Sequence, residues 1–283
     1  MITANLQVFK FYIAMMDPFS EYLSQKYSEG SLDNLNYHKS IIIQKIVKMF
    51  HTLERLAIES HDEVSARSVL RSILDSVTVY CFIYEREDKD EVMFRHLLYF
   101  SDGLTNYQKS VSNGFLDNST ERDYSSNLLN QVISQINNCL STHPYLKLRN
   151  KAVERIVQDN NWKYESLQIP DGIKFGKMYK LIGFDEKTAM YLQGLLSQFA
   201  HGLLLSNYSE GHAEQMIRVL YESIPLADRL CKAIHSTFPD QNLLSCFIQS
   251  SSYKSLVNDP EFNFNDLCIF AKAITEKKEL LID

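Results

Sequence analysis

Apolar residues recur three and four positions apart along almost the whole chain, and no stretch alternates convincingly between apolar and polar. That rhythm turns one face of an α-helix toward a core, whereas a half-buried strand needs a period of two. The clearest case runs over about 34–59, where Ile42, Ile43, Ile46, Val47, Phe50, Leu53 and Leu56 keep the spacing. Sheet proteins consume glycine and proline in tight turns, yet only 9 glycines and 6 prolines occur in 283 residues. The expected fold is therefore all-α, a multi-helix bundle.

The same pattern places further helices near 4–27, 62–86, 90–112, 120–141, 145–160, 173–182, 185–205, 210–237, 240–257 and 264–280. Pro18 is expected to kink or split the first of them. Helix starts are read at Ser119 or Thr120, at Asp185 and at Ser209, each followed by glutamate. The stretch "NNWKYESLQIPDGIKFG", with the only tryptophan, is the clearest irregular segment. It divides the chain into 1–160, an irregular connection over 161–172, and 173–283, packed as one globular unit. The chain shows no repeat of fixed period and no low-complexity tract.

Composition narrows the function classes. An aromatic content of 12% excludes wholesale disorder. A net charge of -6 lacks the basic footprint that phosphate neutralisation gives most nucleic-acid binders, although a local patch remains open. Five cysteines, Cys81, Cys139, Cys231, Cys246 and Cys268, stand far apart without a CxxC. Free thiols among apolar neighbours fit a reducing, cytoplasmic setting. The first apolar run is interrupted by Lys10 and Asp17, unlike a signal peptide, and "VTVYCFIY" is too short to span a bilayer. No membrane, cofactor or metal is expected: neither a glycine-rich phosphate loop nor H-E-x-x-H nor a carboxylate cluster occurs.

Two stretches concentrate candidate chemistry. In "SARSVLRSILDSVTVYCFIYE", Arg71 and Asp75 are four apart, and Glu63 and Arg67 extend the same ladder. Beyond Asp75 the helix is apolar nearly all round, so it is a central one. The Arg71–Asp75 pair then sits where a solvated stretch enters the core. It is either a structural ion pair or an arginine held by Asp75 and aimed at an anion such as a phosphate. In "LLSQFAHGLLLSN", Ser197 and His201 share the stripe Met190, Gly194, Ser197, His201, Leu204. The small residues would let another helix approach, and His201 would face it, as a hydrogen-bonded core histidine or as a general base. A serine-hydrolase triad lacks its G-x-S-x-G elbow.

Together, R-x-x-x-[E/D] on one helix and, some 120 residues later, a tyrosine with S-x-x-x-H-G on another resemble helical proteins of the HEPN superfamily. The segment "FGKMYKLIGFDEKTAMY" fits the approach to the second helix. The resemblance spans about 45–85 and 175–205, a quarter of the chain. It implies a HEPN-like core with additional N- and C-terminal helices, commonly dimeric. Many members are metal-independent ribonucleases of phage defence and toxin systems, and others have lost catalysis and serve as binding modules. In active members an arginine precedes the histidine by five to seven positions; the histidine activates the ribose 2′-hydroxyl and the arginine steadies the phosphate.

Before His201 those positions hold Gly194, Leu195 and Leu196, so Arg71 would have to act from another helix. The spacing occurs instead at Arg55–His61 and Arg229–His235, where about one match is expected by chance. The candidate catalytic residues are thus His201, Arg71, Asp75 and Ser197, followed by Arg229 and His235. The expected activity is RNA processing or phage defence with a degenerate or absent ribonuclease site. The alternatives are a docking or dimerisation module and a small-ligand sensor; the partners would be RNA, another protein or a second copy.

Overall fold

A computed structural model describes residues 2–111, 119–147, 150–202, 204–207, 209, 212–239, 241, 243–259 and 262. Among them every regular element is helical, with one isolated antiparallel bridge between Tyr164 and Gly172. None of these helices is long and apolar enough to cross a membrane. The helix expected over 264–280, and Cys268 with it, lie outside the described residues; Cys81, Cys139, Cys231 and Cys246 are free thiols.

The chain forms two compact units, one of Met1–Glu29, Asn36–Cys81 and Ile182–Asp283, the other of Gly30–Leu35 and Phe82–Leu181. In the first unit, α1 (Ile2–Lys26) packs on α11 (Ala213–Thr237), α12 (Leu243–Gln249) and α13 (Ser251–Val257). Both long helices contain a proline, Pro18 in α1 and Pro225 in α11, and neither is split. A proline removes one i→i−4 bond and crowds the preceding turn. Here burial of Met16, Phe19 and Leu23 around Pro18, and of Ile224, Leu226 and Ala227 around Pro225, holds the helices together.

Helix α2 (Leu35–Arg55) buries Ile43, Ile46, Val47, Phe50 and Leu53 of the expected stripe, while Ile42 and Leu56 are only partly covered. It runs into a π-helical turn, Leu56–Ser60, closed by His61 in the left-handed conformation at φ 51°. Asp62 then accepts the Ser65 N–H at 3.0 Å and starts α3 (Glu63–Tyr84). As expected of a central helix, Tyr80 through Tyr84 are buried in succession. Helix α9 (Glu186–Ala200) begins at Asp185, whose carboxylate accepts the Thr188 N–H at 2.8 Å. It stops five residues short of the expected 205 because Gly202 takes φ 61°, and α10 (Leu204–Asn207) follows.

In the second unit α4 (Lys89–Ser110) packs on α5 (Ser119–Thr142), followed by α6 (Pro144–Lys147), α7 (Lys151–Gln158) and α8 (Phe175–Leu181). No helix covers the residues between α7 and α8, where Trp162 and Tyr164 are buried. Arg95 of α4 is also buried there. It donates to Glu91 at 2.8 Å and to the carbonyls of Trp162 and Tyr164 at 2.9 and 3.0 Å. Its guanidinium lies 4.6 Å from the Phe82 ring centroid and 3.7 Å from that of Tyr164.

Candidate functional site

The two helices that carry the resemblance meet, and they meet through Arg67. Its guanidinium lies 5.0 Å from the Phe199 ring centroid on α9. Arg67 Nε donates to Glu63 Oε1 at 2.6 Å, one turn back on α3, and Nη1 donates to Glu222 Oε2 of α11 at 2.7 Å. Relative exposures of 4% for Arg67, 5% for Glu63 and 7% for Glu222 put this cluster out of water. Glu63 is the first residue of α3, where the positive end of the helix dipole also favours a carboxylate. Ser209 Oγ donates to its other oxygen in a short hydrogen bond.

Toward the surface, Glu222 Oε1 accepts from Arg218 Nε at 3.1 Å and from the Tyr191 hydroxyl at 3.4 Å. Arg218 Nη2 in turn donates to that hydroxyl at 2.7 Å. Two arginines and two glutamates therefore balance, and the charge-assisted bonds tie three helices together. Glu222 is not among the residues expected from the sequence, although periodicity marks it. It falls on the apolar stripe Val219, Leu226, Leu230 of α11, where a charge needs a buried partner.

The residues expected to act together are dispersed. Arg71 Nη2 pairs with Asp75 Oδ1 at 3.3 Å at a half-buried position, as the spacing predicts. Ser197 Oγ donates to the Gln193 carbonyl one turn back at 2.7 Å. His201 was expected to face a neighbouring helix; it ends α9 and is exposed, since the Gly202 stop turns the chain away there. Its imidazole makes no hydrogen bond or ion pair with a described residue. Nothing would touch a Cβ built on Gly194, and Met190 is 52% exposed, so this stripe is open within the described residues. Arg229 Nε donates to the Ile182 carbonyl at 2.7 Å, while His235, six residues further along α11, is exposed. Ser209 serves Glu63 instead of starting a helix, and α11 begins after His212, whose N–H donates to Gln215 Oε1 at 3.1 Å.

A second polar site lies on α1, α2 and α13. A cleft of about 350 Å³ is lined by Lys10, Asp17, Glu54, Ser252, Ser255 and Asp259, among others. Behind it, His51 Nε2 lies 2.7 Å from Asp17 Oδ1, and Nδ1 lies 3.9 Å from Glu54 Oε2. The hydrogen bond to Asp17 raises the His51 pKa above its ordinary value of 6.5 against an opposing effect of burial. Burial raises that of Glu54. Among the described residues no group of three His, Cys, Asp or Glu side chains could hold a metal ion. Comparison of the chain with family models, with curated proteins and with solved structures gives no significant match.

Proposed function

We propose that this chain is a HEPN-like helical protein that works by binding another protein, its own second copy included, and that its ribonuclease site is degenerate. One observation carries the reading: on the helix pair that bears the resemblance, the arginines are already matched by carboxylates. Arg67 is held by Glu63 and Glu222, and Arg71 by Asp75. A guanidinium that steadies a scissile phosphate needs donors directed at the ligand, whereas those of Arg67 bond inward and are out of water. His201 is exposed, and among the described residues no group fixes its tautomer, which a general base needs.

The binding reading is supported by a face of α9 that is open among the described residues, where Met190 and Gly194 are exposed, and by Leu205 just beyond it at 46% exposure. An apolar helix face with small residues at its centre suits close approach by a partner helix. The test has two parts. Purified protein incubated with RNA in chelator should leave it intact, and His201→Ala and His235→Ala should behave identically. Metal-free cleavage abolished by His201→Ala would restore the ribonuclease reading. Sedimentation should show self-association or a bound partner that Met190→Lys and Gly194→Lys disrupt; a strict monomer without a partner would sink the binding reading.

A further inference from the structure

Helix α1 is the element on which α11, α12 and α13 assemble in the first unit, so whatever holds α1 to α2 matters to the whole unit. Part of that hold is apolar, with Phe9 of α1 and Phe50 of α2 at 6.4 Å between ring centroids. The polar part is His51, placed between two carboxylates from different helices: Asp17 of α1 at 2.7 Å from Nε2 and Glu54 of α2 at 3.9 Å from Nδ1.

The geometry distinguishes the two protonation states. Only the Asp17 contact is a hydrogen bond, and a neutral ring with its proton on Nε2 can still make it; the second proton turns that bond into a charge-assisted pair and sets a positive charge 3.9 Å from Glu54. A neutral ring keeps Nε2–H on Asp17 but turns the Nδ1 lone pair toward Glu54. The surrounding charges favour the cation. Asp17 from α1 and Glu54 from α2 act on His51 itself; one step out, Lys10 of α1 and Glu59 of the π-helical turn act on Glu54, Arg55 of α2 pairs with Glu59 at 3.7 Å, and Asp259 after α13 meets Lys10 at 4.0 Å. Arg55 thus offsets Glu59 and Lys10 faces Asp259, which leaves Asp17 and Glu54 as the carboxylates that act on His51; α13 contributes only serine hydroxyls and Leu256 to the cleft. Loss of the His51 proton therefore makes an acidic cleft more acidic at the seam between the two helices.

We propose that His51 is a proton-operated latch that holds α1 against α2 when charged and loosens it as the proton leaves. The sign follows from the hydrogen bond to Asp17, which raises the folded-state pKa above the ordinary 6.5. The tie is full below that ordinary value and is lost as pH rises through the higher folded value. The latch is thus engaged in mildly acid solution and released on the alkaline side, which coincides with an increase in negative charge along the cleft.

Amide hydrogen exchange of the full chain, corrected for the intrinsic dependence of exchange on pH, reads the latch directly. Between about pH 6 and pH 8.5, amides of α1 should open at least about threefold more readily. His51→Gln and Asp17→Asn should each flatten that dependence, and the Asp17→Asn variant should lower the titration point of the His51 ring in an NMR titration. A wild-type α1 with no pH dependence, or one that persists in both variants, overturns the latch. If His51→Gln does not fold, Asp17→Asn carries the same test, because its amide matches the shape of the carboxylate without its charge.

Discussion

Among the described residues each compact unit buries one arginine, and the two are neutralised differently. Arg67 sits between two carboxylates that are themselves out of water. Arg95 has one carboxylate, Glu91, whose side chain is 28% exposed, and relies otherwise on two backbone carbonyls and two aromatic faces. An ion cluster in which both signs are buried is balanced only while complete, and losing one member leaves a charge with neither water nor partner. The Arg95 arrangement degrades more gently, because Glu91 can hydrate and carbonyls and rings carry no net charge. This contrast argues that the Arg67 cluster fixes how α3, α9 and α11 register, while Arg95 anchors the irregular chain between α7 and α8.

The largest expected effect is therefore at Arg67. Arg67→Met should destabilise the protein by about 3–5 kcal/mol in urea unfolding, since Glu63 and Glu222 lose their shared cation. Arg95→Met should cost about 2–3 kcal/mol, mostly as hydrogen bonds lost to Trp162 and Tyr164. A reversed order would break the comparison. Replacing Arg67, Glu63 and Glu222 together by apolar residues sharpens it: most of the lost stability should return, which loss of favourable ion-pair energy alone does not predict.

One turn along α3 the same helix offers a milder version. Arg71–Asp75 has the same spacing as Glu63–Arg67 with the signs reversed, but the Asp75 side chain is 36% exposed. Arg71→Met should therefore cost no more than about 1 kcal/mol. Tyr191→Phe, which removes a hydroxyl shared by Arg218 and Glu222 near the surface, should likewise cost about 0.5–1 kcal/mol. Denaturation of the Arg67, Arg71 and Tyr191 variants at one pH ranks them, and an Arg71 variant as damaging as the Arg67 variant would show that depth along α3 is not what decides.

That pair of arginines also shows what periodicity can and cannot supply. The spacing of apolar residues marks the helices, and the all-round apolar run after Asp75 identifies α3 as central, because both are local properties. The i, i+4 ladder Glu63, Arg67, Arg71, Asp75 was legible for the same reason. Which rung is buried was not, since burial of Arg67 depends on Glu222, 155 residues away, and on Phe199 of α9. The junction with the apolar run marks Arg71 as the rung nearest the core, whereas the amino-terminal end of α3 is covered as well. At His201 the deciding signal stands beside it: Gly202 ends the helix, so among the described residues the 3.6-residue stripe meets no facing helix there. At Pro18 the helix continues instead of splitting, because the local penalty is outweighed by the burial of its neighbours.

The smallest expected effects come from two histidines, one in each unit, whose environments push them in opposite directions. In the first, His51 is raised by its bond to Asp17. In the second, burial lowers His143 below its ordinary value despite opposing contributions from Asp90 and Asp88. The Tyr145 backbone N–H donates to His143 Nδ1 at 3.3 Å, and the ring lies 5.0 Å from those of Phe94 and Tyr145. Protonation at Nδ1 would replace that acceptor with a donor, so the fold prefers the neutral ring. A lowered folded value contributes stability above the ordinary 6.5 that is lost as pH falls through the folded value. The first unit should thus weaken toward alkaline pH and the second toward acid, each by less than about 1 kcal/mol from these groups. Hydrogen exchange on α1 and on α4, followed over about pH 5 to 8.5, should show the crossing trends. Removing the second with His143→Gln while the first persists would assign each slope to its own histidine; parallel slopes in the two units would mean that neither histidine governs them.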